Sequence, residues 1–185
     1  MTTRRHIIVE GPDGSGKDGL LTRFLTLFPH HKMHTRASTS TGGPILHLTG
    51  WMHVDMSTID TSGPWLYNRH PIISEPIYAP IARRTDPQGS FANPRWVADL
   101  SEKIAERAVV VWCMPPKSVV MYNVLDRPNG PAHMPGVAEH IEALYDMYDI
   151  TRKSWPGPSF NWDYSTGDIV KLVFDVSQEL RNGSS

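Results

Sequence analysis

The 185 residues carry 18 Lys+Arg against 19 Asp+Glu, a formal charge of -1, so no global basic excess advertises nucleic acid, although a local basic groove stays open. With 39% apolar and 9% aromatic residues the composition excludes wholesale disorder and suits one domain with one buried core. Cys113 is the only cysteine, which excludes an internal disulfide and a cysteine-built metal centre, and no apolar run nears the ~20 residues of a membrane helix. We expect a soluble, cytoplasmic chain with no signal peptide and no membrane partner.

In chain order, His6 to Glu10 reads as a short strand, and Leu20, Leu21, Phe24, Leu25 and Phe28 recur at helical spacing after a glycine-rich turn. His31 to Ala37 suggests a second strand. Ser38 to Pro64 turns to Ser, Thr, Gly and Pro, which predicts a long irregular excursion. Trp65 to Tyr67 reads as a third strand, Thr85 to Pro94 as a second irregular stretch, and Trp96 to Arg107 as a helix. Ala108 to Met114 is the clearest buried strand, closed by Pro115 and Pro116. Helices are expected over Ser118 to Leu125, Val137 to Lys153 and Asp168 to Leu180, with a weak strand over Phe160 to Tyr164. Strands alternating with helices imply an α/β fold, a parallel sheet covered on both faces. Residues 1–181 form the expected domain and 182–185 a dispensable tail.

Gly11, Pro12, Asp13, Gly14, Ser15, Gly16 and Lys17 fit the G-x-x-x-x-G-K spacing between a strand and a helix, the setting in which such a loop cradles phosphate. Glycines let successive N–H groups turn inward, the helix N-terminus adds positive potential, and Lys17 reaches the β- and γ-phosphates. Asp18 stands where Ser or Thr normally supplies a hydroxyl to Mg²⁺; its carboxylate either binds the metal or caps the helix. A glycine-rich turn with an accidental lysine, and a loop that holds nucleotide without catalysis, remain the competing readings. A GTPase-like switch is disfavoured, because no convincing N/T-K-x-D guanine-reading sequence is present.

The run IVEGPDGSGKD resembles the opening of thymidylate kinases and phage deoxynucleotide kinases, and similarity recurs in order along nearly the whole chain. Thr35-Arg36 with Gly42-Gly43 is similar to the Thr-Arg-Glu-Pro-Gly-Gly element that holds the acceptor, with stretched spacing and no Glu-Pro. Asn68-Arg69-His70 followed by Ser74, Glu75 and Tyr78 resembles the Asp-Arg-Tyr/His motif with its downstream Ser and Tyr, with Asn68 in place of the aspartate. Trp112 to Lys117 resembles the strand that ends in Val-Pro-Pro-Glu, Asp126-Arg127 opens the lid-like segment (about 126–136), and Asp163 matches an aspartate near the adenine pocket. The resemblance implies a P-loop fold with a five-stranded parallel sheet and a short lid, ATP and Mg²⁺ as cofactors, and a dimer. It casts Lys17, Arg69 and Arg127 as catalytic, Asp18 as a metal ligand, and Arg36, Ser74, Glu75 and Tyr78 as substrate residues.

For the acceptor, the resemblance allows two substrates. The stretched Arg36 element, Asn68 and the arginine-poor lid favour the branch that phosphorylates the hydroxymethyl group of 5-hydroxymethyluracil already in phage DNA, which would place the chain in the host cytoplasm. The alternative is a free pyrimidine deoxynucleotide. Trp51, His47 and His53 in the excursion are candidates to receive an extruded base, and His30 to Arg36 with Arg83-Arg84 offer charge for a DNA backbone. Trp51 and Trp65 otherwise read as core or loop anchors. Glu10, Asp55 and Asp60 are candidate bases should the acceptor be a hydroxyl. His30, His31 and His34 lack the cysteine or H-E-x-x-H partners of a metal site.

Overall fold

The computed structural model describes residues 5–39, 45–81, 93–126 and 136–182. Gly42, Gly43, Arg83, Arg84, Arg127 and nearly all of the lid-like segment fall outside these, as does most of the stretch expected to be irregular before Pro94.

Five strands form one parallel sheet: β1 (His6–Glu10), β2 (Lys32–Met33), β3 (Trp65–Asn68), β4 (Ala108–Cys113) and β5 (Ser159–Trp162), in the order β2-β3-β1-β4-β5. The earliest strand in the sequence is thus the middle one. Every residue of β1 and β4 is buried, as a strand covered on both faces demands. Side-chain alternation divides the core. Ile7, Val9, Val109 and Val111 pack with Leu20, Leu21 and Phe24 of α1 (Lys17–Leu27) and with Leu172 and Val176 of α7 (Ile169–Asn182). Ile8, Val110 and Trp112 face the other way, against α2 (Leu48–Thr58), α3 (Pro71–Ile81), α4 (Pro94–Arg107) and α6 (Val137–Ser154). Each buried Val, Leu, Ile or Phe contributes ~1.5–3 kcal/mol before the entropy of ordering is subtracted.

The structure corrects several sequence expectations. The supposed irregular stretch after Ser38 contains α2, whose buried positions Leu48, Met52 and Asp55 have helical spacing. That face escapes a hydrophobicity reading because one of its members is a carboxylate. The second strand shrinks from His31–Ala37 to two residues, since only Lys32 and Met33 find partners, Trp65 and Leu66, at the sheet edge. The last strand runs Ser159–Trp162 and stops before Asp163. The helix after Pro116, α5 (Lys117–Met121), passes into a π-helical turn over Tyr122–Asp126. Asn93 starts α4 by accepting from the Arg95 and Trp96 amides at 3.1 and 3.2 Å.

Candidate nucleotide and acceptor site

The glycine-rich turn joins the C-terminal end of β1 to α1, at the middle of the sheet. Gly11 and Gly16 have φ of 144° and 83°, a region L-residues avoid. Space forbids a side chain as well: a Cβ on Gly11 would lie 2.4 Å from the Cys113 carbonyl oxygen, and one on Gly16 2.6 Å from Tyr164 Cδ1. The π-helical turn braces the loop from behind. Its Asn123 Nδ2 donates to the Gly14 carbonyl at 2.8 Å and to Tyr164 Oη at 2.9 Å.

Lys17 is buried inside the loop and donates to the Pro12 carbonyl at 2.5 Å and to Ser15 Oγ at 3.4 Å. Burial, and then the nearby Arg69 guanidinium, push its ammonium down to about 8.

Arg69 follows β3 in the left-handed region, with φ 65°, a conformation costing a non-glycine residue ~1–3 kcal/mol. Neighbouring bonds hold it there: the Arg69 amide donates to the Val9 carbonyl at 3.0 Å, and the His70 amide donates to Glu10 Oε1 at 2.6 Å. The turn sends the guanidinium back across the loop, where Nη2 donates to the Gly11 carbonyl at 3.1 Å and to Tyr78 Oη at 2.8 Å. Tyr78 Oη in turn donates to Asp13 Oδ2 at 2.6 Å, which also pairs with Arg69 Nη2 at 3.2 Å. Burial would raise the Asp13 carboxyl, but Arg69 and Lys17 outweigh it and hold the group well below the usual range. Arg69 is therefore a part-buried bridge between the loop and α3.

Three parts of the chain meet beside this bridge. Arg36 and Ser38, Asn68 and Arg69, and Ser74, Glu75 and Tyr78 of α3 line one cleft. All four substrate residues named from sequence are thus neighbours, although Gly42, Gly43 and Arg127 cannot be placed with them. Ser74 Oγ donates to the His70 carbonyl at 3.3 Å. Asn68 Nδ2 donates to Asp18 Oδ1 at 3.2 Å, while Asn68 Oδ1 is buried with no hydrogen-bond partner.

The candidate bases fare differently. Asp60 sits at the opposite end of the strands: its carboxylate pairs with Arg107, which precedes β4, and its carbonyl accepts from Arg5, which precedes β1. It is remote from the loop and serves as a surface ion pair. Asp55 is buried and surrounded by donors, Tyr67 Oη, His34 Nε2 and His70 Nε2, each at 3.1 Å. Burial would raise its carboxyl, but the bonds from His34 and His70 prevail and keep it below the carboxylate range, which disqualifies it as a base. Glu10 is fully buried and takes hydrogen bonds from the His70 amide and from Tyr148 Oη. Burial raises it to about 7 despite the His70 amide, Arg69 and Lys17.

Trp51 and Trp65 pack against the His34 ring at centroid distances of 5.4 and 5.1 Å, so the anchoring reading describes them better than base stacking. Asp163 spends its carboxylate on its own turn, accepting from the Ser165 amide, Ser165 Oγ and Thr166 Oγ1. Sequence reasoning missed the Asp13–Tyr78–Arg69 bridge, the Asn123 brace and the Asp55 cluster. Only the helical spacing of Leu48, Met52 and Asp55 signalled the last of these.

No family model and no curated protein matches the sequence. Solved structures do match in shape. The YorR protein of Bacillus subtilis, in complex with phosphorylated GDP, superposes with a TM-score of 0.67 at 17% identity, covering 95% of both chains. Deoxyadenosine kinase from M. mycoides with bound dATP gives 0.57 at 11% identity, covering 98% of this chain and 100% of that one. The same enzyme with dCTP gives 0.55 at 10% identity, covering 96% and 99%. The chain shares the α/β fold of these proteins, a five-stranded parallel sheet between helices. Among the described residues no helix is long and apolar enough to cross a membrane.

Proposed function

We propose that this chain is a P-loop kinase that moves the γ-phosphoryl of ATP to a deoxynucleotide acceptor. One observation carries the reading: the Arg69 guanidinium bonds the phosphate loop at Gly11 and lines the same cleft as Arg36, so one planar cation faces both partners of a transfer. The solved structures of similar shape contain nucleotides, which supports the same class of ligand.

In this reading the amides of Gly11 to Lys17 surround the β-phosphate. Lys17 exchanges the Pro12 carbonyl for phosphate oxygens, and Arg69 stabilises charge on the group in flight. Arg127 completes the set from the lid-like segment. A Mg²⁺ ion, when bound, would supply positive charge against the phosphates, and Asp18 with Asn68 would hold it. The residues fit such an ion: Asp18 keeps one carboxylate oxygen free of Asn68, and the partnerless Asn68 Oδ1 is the kind of hard oxygen that magnesium or its water takes.

For the acceptor we favour the hydroxymethyl group of 5-hydroxymethyluracil in DNA. Glu75 supports this, because a nearly buried carboxylate in the acceptor cleft repels a phosphate and suits a hydroxyl that must lose its proton. The adjacent Arg36 and Arg69 favour the second reading, a free pyrimidine deoxynucleoside monophosphate. A homodimer belongs to the same reading, and light scattering tests it. With γ-labelled ATP and Mg²⁺, label is expected on DNA containing 5-hydroxymethyluracil and not on ordinary DNA or dTMP. Label on dTMP alone selects the second reading, and label on neither acceptor sinks both.

A further inference from the structure

We infer that the His34–Asp55–His70 cluster is a positioning device that sets Arg36 in the acceptor cleft and ties it to the turn carrying Arg69. His34 follows the short edge strand, its amide donating to the Leu66 carbonyl at 3.0 Å, and Arg36 lies two residues on. What holds this exit in place is the His34 ring. Nδ1 lies 3.0 Å from the Thr35 carbonyl and Nε2 3.1 Å from Asp55 Oδ1. The ring thus spans from the carbonyl next to Arg36 to the carboxylate of α2.

His70 is placed the other way round. Its Nδ1 accepts from the Ile72 amide at 3.3 Å, which leaves Nε2 to face Asp55 Oδ2 at 3.1 Å. Asp55 thus holds one ring from the Arg36 side and one from the Arg69 side, with Tyr67 Oη as a third partner. The His34 ring stacks on Tyr67 at 4.5 Å and 22° and meets Trp51 and Trp65 edge-on. His70 in turn gives its amide to Glu10, directly behind the phosphate loop. One carboxylate on α2 therefore connects the acceptor arginine, the bridging arginine and the end of β1.

Asp55 and His34 touch no cleft surface in this scheme; they act through Arg36. The kinetic half of the test rests on the proposed kinase reading, and the spectroscopic half does not. In nitrogen-15 NMR the ring signals of both His34 and His70 should move when Asp55 is replaced by asparagine, since both rings meet its carboxylate. In Asp55→Asn the Arg36 Nε–H resonance should move, and the KM for the phosphorylated acceptor, 5-hydroxymethyluracil DNA or dTMP, should rise on the order of 10- to 100-fold while the ATP KM stays unchanged. Should Asp55→Asn fail to fold, His34→Gln gives the same readouts from the other side of the pair. His34 and His70 ring signals that ignore Asp55→Asn, an unmoved Arg36 signal, or an equal rise in both KM values overturns the inference. A wild type that phosphorylates neither acceptor defeats the kinase reading alone, and the NMR outcome still decides the role of the cluster.

Discussion

The donor loop and the acceptor cleft are built on opposite plans. The loop is one contiguous run, Gly11 to Lys17, whose shape is enforced by its own glycines and by contacts with Cys113 and Tyr164 behind it. The cleft draws Arg36, Arg69 and the α3 residues Glu75 and Tyr78 from separate parts of the chain, and its order depends on side-chain bonds between them and their neighbours. A local site tolerates change elsewhere in the chain, whereas an assembled site is exposed to every element that contributes to it.

The largest break is expected at the residue the two regions share. Arg69→Lys keeps a cation but loses the fork that reaches Gly11, Tyr78 and Asp13 together, so kcat should fall about 10³-fold while ATP binding by calorimetry persists. Unchanged kcat would remove Arg69 from the transfer step. Lys17→Ala should act on the donor side alone, cutting kcat ~10²-fold and weakening ATP. The same lysine predicts a pH effect. Its ammonium sits at about 8 in the free loop, and phosphate favours the charged form. ATP binding near that pH should therefore take up protons, measurable as a dependence of calorimetric heat on buffer ionisation, and affinity should decline as pH rises past 8.

A subtler test concerns the seam between the regions. Asp18→Thr and Asn68→Asp should each weaken Mn²⁺ binding, followed by electron paramagnetic resonance in the presence of ATP. The double variant, which moves the carboxylate across the contact, should recover much of it, with a coupling of ~0.5–3 kcal/mol. Purely additive losses would dissociate these residues from the metal.

The mildest effect is expected at Glu10. Its carboxyl stands near 4.5 when unfolded and at about 7 when folded, so the folded state binds the extra proton. Its stabilising contribution is complete below 4.5 and disappears as pH rises through 7. Glu10→Gln should abolish that part of the stability profile, a change of order 1–3 kcal/mol in denaturant unfolding of the nucleotide-free protein. His6 opposes it: burial lowers its ring to about 4, so its contribution is lost on acidification below 6.5. A profile identical in the Gln variant would refute the assignment to Glu10.

The same division explains what the sequence made visible. Gly11 to Lys17 was legible because spacing, glycines and flanking apolar runs lie within one window, and Ala108 to Cys113 because a continuous apolar run is how a doubly covered strand must look. Helix α2 was not, since Asp55 occupies a core position and breaks the hydrophobic pattern. Nor was the setting of Glu10: Tyr148, its hydrogen-bond partner, is separated from it by 138 positions. The bond between Asn68 and Asp18 was equally hidden, although each had stood out as a departure from the family pattern.

Strand order has a further consequence, for the birth of the protein. The segment His6–Glu10 leaves the ribosome before any other strand, yet its two lateral neighbours are β3 and β4. At the ~5–20 residues per second of translation, roughly 5–20 s pass before Ala108–Cys113 emerges to flank it. For that interval the central, fully buried strand has only one native neighbour at best, so early synthesis is when the molecule most needs a chaperone.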